Sequence, residues 1–164
     1  MMRHTLSILM ENESGSLSRV AGLFSARGYN IESLNVAVTE DATLSRLTLV
    51  THANDQVVEQ IMKQLNKLID VVKVVDIADH PHIERGMMLV KVRAADMNAC
   101  TSIKQLSDIF NGRIIDVSDH VYTIEVTGSM DKLRAFNTSL EQDHTILEAV
   151  RSGAVGIMRG KNTL

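Results

Sequence analysis

Apolar and polar residues alternate over residues 4–10, with Leu6, Ile8 and Met10 on one side, which predicts a half-buried strand. The period then lengthens. Leu17, Val20, Ala21 and Phe24 recur at helical spacing opposite Ser18, Arg19 and Ser25, and Gly28 supplies a left-handed stop. Period two returns over residues 31–39 through Leu34, Val36 and Val38, and Glu40-Asp41-Ala42 turns the chain into a second strand over 44–51. Asn54 then caps a helix whose stripe is Val58, Ile61, Met62, Leu65 and Leu68, and the β-branched run over 71–77 closes the series. The order is strand, helix, strand, strand, helix, strand.

The same order repeats beyond the one proline of the chain, Pro81. Residues 87–93 read as a strand, and 98–110 as a helix through Ile103, Leu106 and Phe110 that stops at Asn111-Gly112. A hairpin over 113–117 and 121–127 turns at Ser118-Asp119; Ser129 caps a helix carrying Leu133, Phe136 and Leu140, and 146–150 is the last strand. The tail over 151–160 is punctuated by glycine. Two βαββαβ series give an α+β fold of tandem ferredoxin-like units, 1–78 and 85–164, joined by a linker over 79–84 that holds Asp79-His80-Pro81-His82. Each unit has about 75 residues, thin for independent stability, and helices on one face leave the other face of each sheet bare. A homodimer is the expected remedy.

Composition narrows the classes of function. The chain of 164 residues is 45% apolar, enough for a proper core, and holds no apolar run of membrane-spanning length. Its N-terminus enters the strand pattern without signal or transit character, so a cytoplasmic protein with no membrane partner is expected. A net charge of −3 with scattered Lys and Arg, three Phe, two Tyr and no Trp argues against nucleic acid as a partner. The single Cys100 excludes an internal disulfide and suits a reducing compartment; it is a nucleophile only if a His comes close to it in space. His80 and His82 lack further ligands at metal spacing, and no paired carboxylates, nucleophile elbow or phosphate-cradling glycine loop is present. No catalytic residue, metal or cofactor is expected.

One stretch carries candidate binding chemistry. Asn12-Glu13-Ser14-Gly15-Ser16-Leu17 joins the first strand to the first helix, and Asn12, Ser14 and Ser16 can each accept from N–H groups at the helix start. Gly15 lets a ligand or another chain approach the backbone. Free N–H groups backed by the helix dipole hold a small carboxylate without any catalytic residue, although a turn of this composition is also an ordinary helix cap.

The same residues carry a family resemblance. The run from Asn12 to Val20, then Gly22-Leu23-Phe24-Ser25 and Arg27-Gly28-Tyr29-Asn30-Ile31-Glu32-Ser33-Leu34, resembles the ACT domain of the small regulatory subunit of acetolactate synthase, also called acetohydroxyacid synthase. The resemblance continues through Thr43-Leu44-Ser45-Arg46, Met88-Leu89-Val90-Lys91-Val92, Phe110-Asn111-Gly112-Arg113-Ile114-Ile115-Asp116-Val117 and Arg151-Ser152-Gly153, nearly the whole chain. It implies a non-catalytic subunit that binds and activates the catalytic large subunit, a thiamine-diphosphate enzyme of branched-chain amino-acid biosynthesis, and confers feedback inhibition by valine. It also implies an effector site where two ACT domains meet. The matching positions are Asn12 and Gly15, with Ser14 on the same turn and Asn30 and Ile31 from the partner copy. Valine's carboxylate then meets the N–H donors at Gly15, its ammonium the Asn12 and Asn30 carboxamides, and its branched side chain a wall of Ile31, Leu17 and Leu34, the two leucines being equally readable as plain core.

Two other classes use the same residues differently. A free-standing amino-acid sensor for another enzyme or regulator would keep the turn and change the docking surface. A small enzyme on a ferredoxin-like scaffold would show turnover by the isolated chain.

Overall fold

A computed structural model describes residues 1–164. The chain runs β1 (Met2–Glu11), α1 (Ser16–Ala26), β2 (Ser33–Val38), β3 (Leu44–Ala53), α2 (Asp55–Leu65) and β4 (Val71–Asp76), then a 3-10 turn over Ile77–Asp79. It continues through β5 (His82–Arg93), α3 (Met97–Ile109), β6 (Arg113–Ser118), β7 (Val121–Gly128), α4 (Met130–Asp143), β8 (Ile146–Arg151) and β9 (Val155–Met158). Both series have the ferredoxin-like order, β2-β3-β1-β4 in the first sheet and β6-β7-β5-β8 in the second, with antiparallel neighbours throughout.

Alternation decides which side of the first sheet is core. Leu6 pairs with Leu49 and Ile8 with Leu47, and all four point to the helices, where Val20, Phe24, Val58, Ile61 and Leu65 meet them in one buried cluster. The predicted cap of α2 is present: the Asn54 side chain accepts from Val57 N at 2.9 Å. A buried pair locks the far edge. His4 Nδ1 lies 2.6 Å from Asp76 Oδ2, while Asp76 Oδ1 accepts from Thr5 N and Ala78 N and so shapes the turn after β4.

In the second unit Met88, Val90 and Val92 of β5 and Ile124 and Val126 of β7 face Ile103, Leu133, Phe136 and Leu140. Phe110 meets Phe136 edge to face at 5.3 Å. Asp96 caps α3 by accepting from Ala99 N, and Ser129 caps α4 by accepting from Lys132 N. The predicted stop after α3 divides its labour. Asn111 takes the left-handed conformation at φ 50°, and a Cβ on Gly112 would lie 2.9 Å from Val126 Cγ2, so the glycine answers a close approach.

The tail departs from expectation. The compact units are Met1–Ile83 together with Gly153–Leu164, and Glu84–Ser152, so the last residues, expected with the second unit, pack in the first. The expected linker at 79–84 is short: the 3-10 turn ends at Asp79 and β5 begins at His82, whose neighbour Ile83 closes the first unit. β9 pairs with β5, and Arg159 N donates to Pro81 O at 2.7 Å.

The first sheet is therefore not bare on its outer face. Arg46, on the side away from the helices, donates from Nε to Ser7 Oγ and from Nη2 to Gly156 O, both at 3.1 Å. Thr5, Ser7, Thr48 and Val50 on that side are buried, as is Ala154 of the tail. A Cβ on Gly153 would lie 2.8 Å from Leu34 O, close enough that only glycine seats there. The exposed-face reason for pairing with another copy does not apply to this sheet.

Candidate functional site

The turn after β1 is held by three backbone bonds. Glu11 N donates to Asp70 O at 2.8 Å, Asn12 N to Thr43 O at 2.7 Å and Ser16 N to Glu13 O at 3.2 Å. Gly15 is the N-cap residue of α1, at φ 91° and ψ −11°, and no side chain caps the helix. That corrects the expectation that Asn12, Ser14 or Ser16 would cap it. A left-handed Gly15 carries the chain into the helix, and no acidic residue lies in the first turn. The start of α1 keeps its positive end open.

A pocket of about 240 Å³ lies against this turn, lined by Met10, Asn12, Glu13, Ser16, Leu17, Val36, Val38 and Ser45 among others. Its apolar wall comes from three elements. Leu17 of α1 and Val36 and Val38 of β2 are exposed, although their residue types favour burial. Ser16 is the opposite case: it is only 2% exposed, it lines the pocket, and its Oγ has no hydrogen-bond partner.

Asn12 is more committed than the sequence suggests. Its Nδ2 donates to Ala42 O at 3.0 Å and its Oδ1 accepts from Ser45 Oγ at 3.1 Å, so the carboxamide ties the β1 end to the β2–β3 turn. One lone pair of Oδ1 remains for a ligand. That turn is itself built around Asp41, whose Oδ1 accepts from Thr43 N and Thr43 Oγ1. The Thr43 hydroxyl and then its N–H hold the Asp41 carboxyl below the ordinary carboxylate range.

The residues that the resemblance groups into one site do not all meet within one chain. Asn12 and Leu17 line the pocket described above, with Ser14 and Gly15 on the turn beside it. Asn30 lines a different pocket of about 330 Å³ with Tyr29, His52, Asn54 and Val57, and its backbone O accepts from Thr51 Oγ1. Ile31 and Leu34 are half-buried against the first core, so of the two candidate leucines Leu17 faces the pocket and Leu34 packs inward.

Two residues at this turn carried no sequence signal. Arg19 Nε makes a short ion pair with Asp70, and this bond raises the guanidinium above its ordinary value against a smaller lowering by desolvation. A Cβ on Gly15 would lie 3.3 Å from Arg19 Nη1. Asp70 thus fixes the end of β1 through its carbonyl and the first turn of α1 through its carboxylate. Elsewhere, no group of three His, Cys, Asp or Glu is gathered to hold a metal ion. Cys100 Sγ neighbours Ala94 O and the Tyr122 hydroxyl, and no helix is long and apolar enough to cross a membrane.

Comparison with known proteins covers both units. Residues 6–73 match the model of the AHAS small subunit-like ACT domain, and residues 85–160 match that of the small subunit of acetolactate synthase. The chain is 52% identical over 163 residues to the acetolactate synthase small subunit of Haemophilus influenzae, covering 99% of each. It is 51% identical over 159 residues to the acetolactate synthase isozyme 3 small subunit of Escherichia coli, covering 97% of each. The crystal structure of the acetolactate synthase small subunit from Thermotoga maritima superposes with a TM-score of 0.88 at 39% identity, over 99% of this chain and 100% of that one.

Proposed function

The chain belongs to the family of acetolactate synthase small subunits, and from that premise we propose that it is a regulatory subunit which activates the thiamine-diphosphate-dependent catalytic subunit and makes it responsive to valine. On this reading it is itself non-catalytic, works in the cytoplasm in branched-chain amino-acid biosynthesis, acts as a homodimer and takes no nucleic acid or membrane partner. The observation that carries the sensing half is the uncapped start of α1 opening beside a pocket with an apolar wall. Valine is complementary to both: a carboxylate for helix N–H donors and a branched side chain for Leu17, Val36 and Val38.

Asn12 and Gly15 supply one side of the site, and Asn30 and Ile31 of a second copy supply the other. Within one chain Asn12 and Asn30 line different pockets, which is the arrangement a site shared between two copies requires. The unit of Met1–Ile83 with Gly153–Leu164 and the unit of Glu84–Ser152 then divide the work between sensing and a second role in the assembly. Reconstitution tests the proposal: acetolactate formation is measured with the catalytic subunit alone, with this chain, and with this chain plus valine. The expected series is low, high and low again. Equal rates in the first two conditions, or acetolactate synthesis by this chain alone, would sink it.

A further inference from the structure

The helix-facing side of the first sheet loses its cover along one strand only. Across the register, Leu34, Leu49 and Leu6 form one row, Val36, Leu47 and Ile8 the next, and Val38, Ser45 and Met10 the last, beside the turn after β1. On β3 and β1 all three rows are buried. On β2 they are not: Leu34 is half-buried, Val36 is 40% exposed and Val38 54%. The pocket of about 240 Å³ lies where that cover is missing, with Leu17 of α1 on its other side, and its lining stops at Val36 without reaching Leu34. The one polar member of the last row is already engaged, because Ser45 Oγ donates to Asn12 Oδ1. The apolar side of the pocket is thus Leu17 and two valines that are stiff at χ1, on a strand held to β3 by its ladder.

We propose that this gap is a missing layer of the first core which the effector's side chain fills, and that Val36 sets how long that side chain can be. This rests on the reading that the pocket takes an α-amino acid. With the effector's carboxylate at the turn, its side chain runs inward over Val38 and ends against Val36, where the covered rows of the core begin. A stiff end wall works against both errors of length. A shorter side chain leaves a void, and a longer one forces β-branched neighbours out of their preferred rotamers. Val38 flanks the entrance, so it adds contact area and does not limit depth.

The test is titration calorimetry of the full chain with L-2-aminobutyrate, L-valine and L-leucine, for wild type, Val36→Ala, Val36→Ile and Val38→Ala. Wild type should bind valine most tightly. Val36→Ala should raise the ratio of leucine to valine affinity about 10-fold, and Val36→Ile should raise that of 2-aminobutyrate to valine by a similar factor, roughly what one methylene decides in an apolar pocket. Val38→Ala should weaken all three ligands and move neither ratio. Each ratio is taken within one variant, so a general loss of stability does not mimic the effect. Ratios unchanged in both Val36 variants, or moved by Val38→Ala instead, would overturn the assignment and leave the amino-acid reading intact. Wild type that binds leucine as tightly as valine would overturn it too. Wild type that binds none of the three would overturn the amino-acid reading itself, and the assignment with it.

Discussion

The loops that follow the first strand of each unit occupy the same place in the same fold and are built in opposite ways. After β5 the chain enters α3 through Asp96, whose carboxylate accepts from Ala99 N in the ordinary manner of a helix cap. After β1 it enters α1 through a left-handed glycine with no side-chain cap. Of the four α-helices α1 alone is left in this state, because Asn54 and Ser129 cap α2 and α4. Glycine at an N-cap in place of Asp, Asn or Ser costs only about a few tenths of a kcal/mol. The second unit closes this helix start with a side chain, and the first leaves it without one, with a pocket beside it.

Converting one loop toward the other gives the largest expected effect. Gly15→Asp places an acidic residue at the N-cap of α1, as Asp96 does for α3, but at φ 91° and with its Cβ 3.3 Å from Arg19 Nη1. The carboxylate would repel the effector's own and sit where it is proposed to bind, so valine inhibition of the reconstituted enzyme should vanish while activation survives. Inhibition and activation curves on the variant check both halves, and their joint loss would mean a damaged fold.

Asn12→Ala probes the same loop more gently. It frees the β2–β3 turn from β1 and strips a carboxamide from the pocket, with an expected loss of about 1–3 kcal/mol in valine binding, roughly 5- to 150-fold, read by calorimetry. The converse change belongs to the second unit. Asp96→Ala removes the cap of α3 and should lower the melting temperature by about 2–4 °C, with the valine response unchanged. A changed valine response there would blur the contrast between the two loops.

The smallest effect separates the two hairpin turns. The first is made by Asp41 accepting from Thr43, the second by Asp119 and His120 at φ 39° and 62°. Because the folded Asp41 carboxyl lies below its ordinary value, its contribution is complete above the unfolded carboxylate range and is lost as pH falls through the lowered folded value. Asp41→Ala should therefore melt slightly below wild type at neutral pH, and the two curves should converge in strong acid. A gap that persists there would assign the Asp41 effect to something other than its charge.

Most of the fold was legible because its signals are local. Alternation in β1 and β3, the Asn54 and Ser129 caps and the left-handed Gly28 all depend on residues within a few positions of one another. What escaped depends on distant partners. Arg19 and Asp70 are 51 residues apart, and the Asn12 carboxamide is engaged by a turn 30 residues away, so neither bond leaves a trace in spacing. The sequence offered the Asn12–Gly15 turn as a candidate for a carboxylate site, and did not reveal that Gly15 would stand at the cap or that Ser16 would be buried without a partner for its hydroxyl. The tail was missed for the same reason, since glycine punctuation reads as loop until a sheet residue 110 positions earlier gives it a seat.

That seat makes the first unit discontinuous in the order of synthesis. Residues 1–83 leave the ribosome well before Gly153–Leu164, which holds the Gly156 carbonyl that Arg46 bonds and the Gly153 that seats against Leu34. Until then Arg46 lacks the Gly156 carbonyl and Leu34 lacks Gly153, and the unit is completed only when residues 153–164 arrive. Truncation after Ser152 would thus be felt as a defect of the unit built on residues 1–83, and a chain cut after Ile83 should aggregate where the chain of residues 1–164 does not.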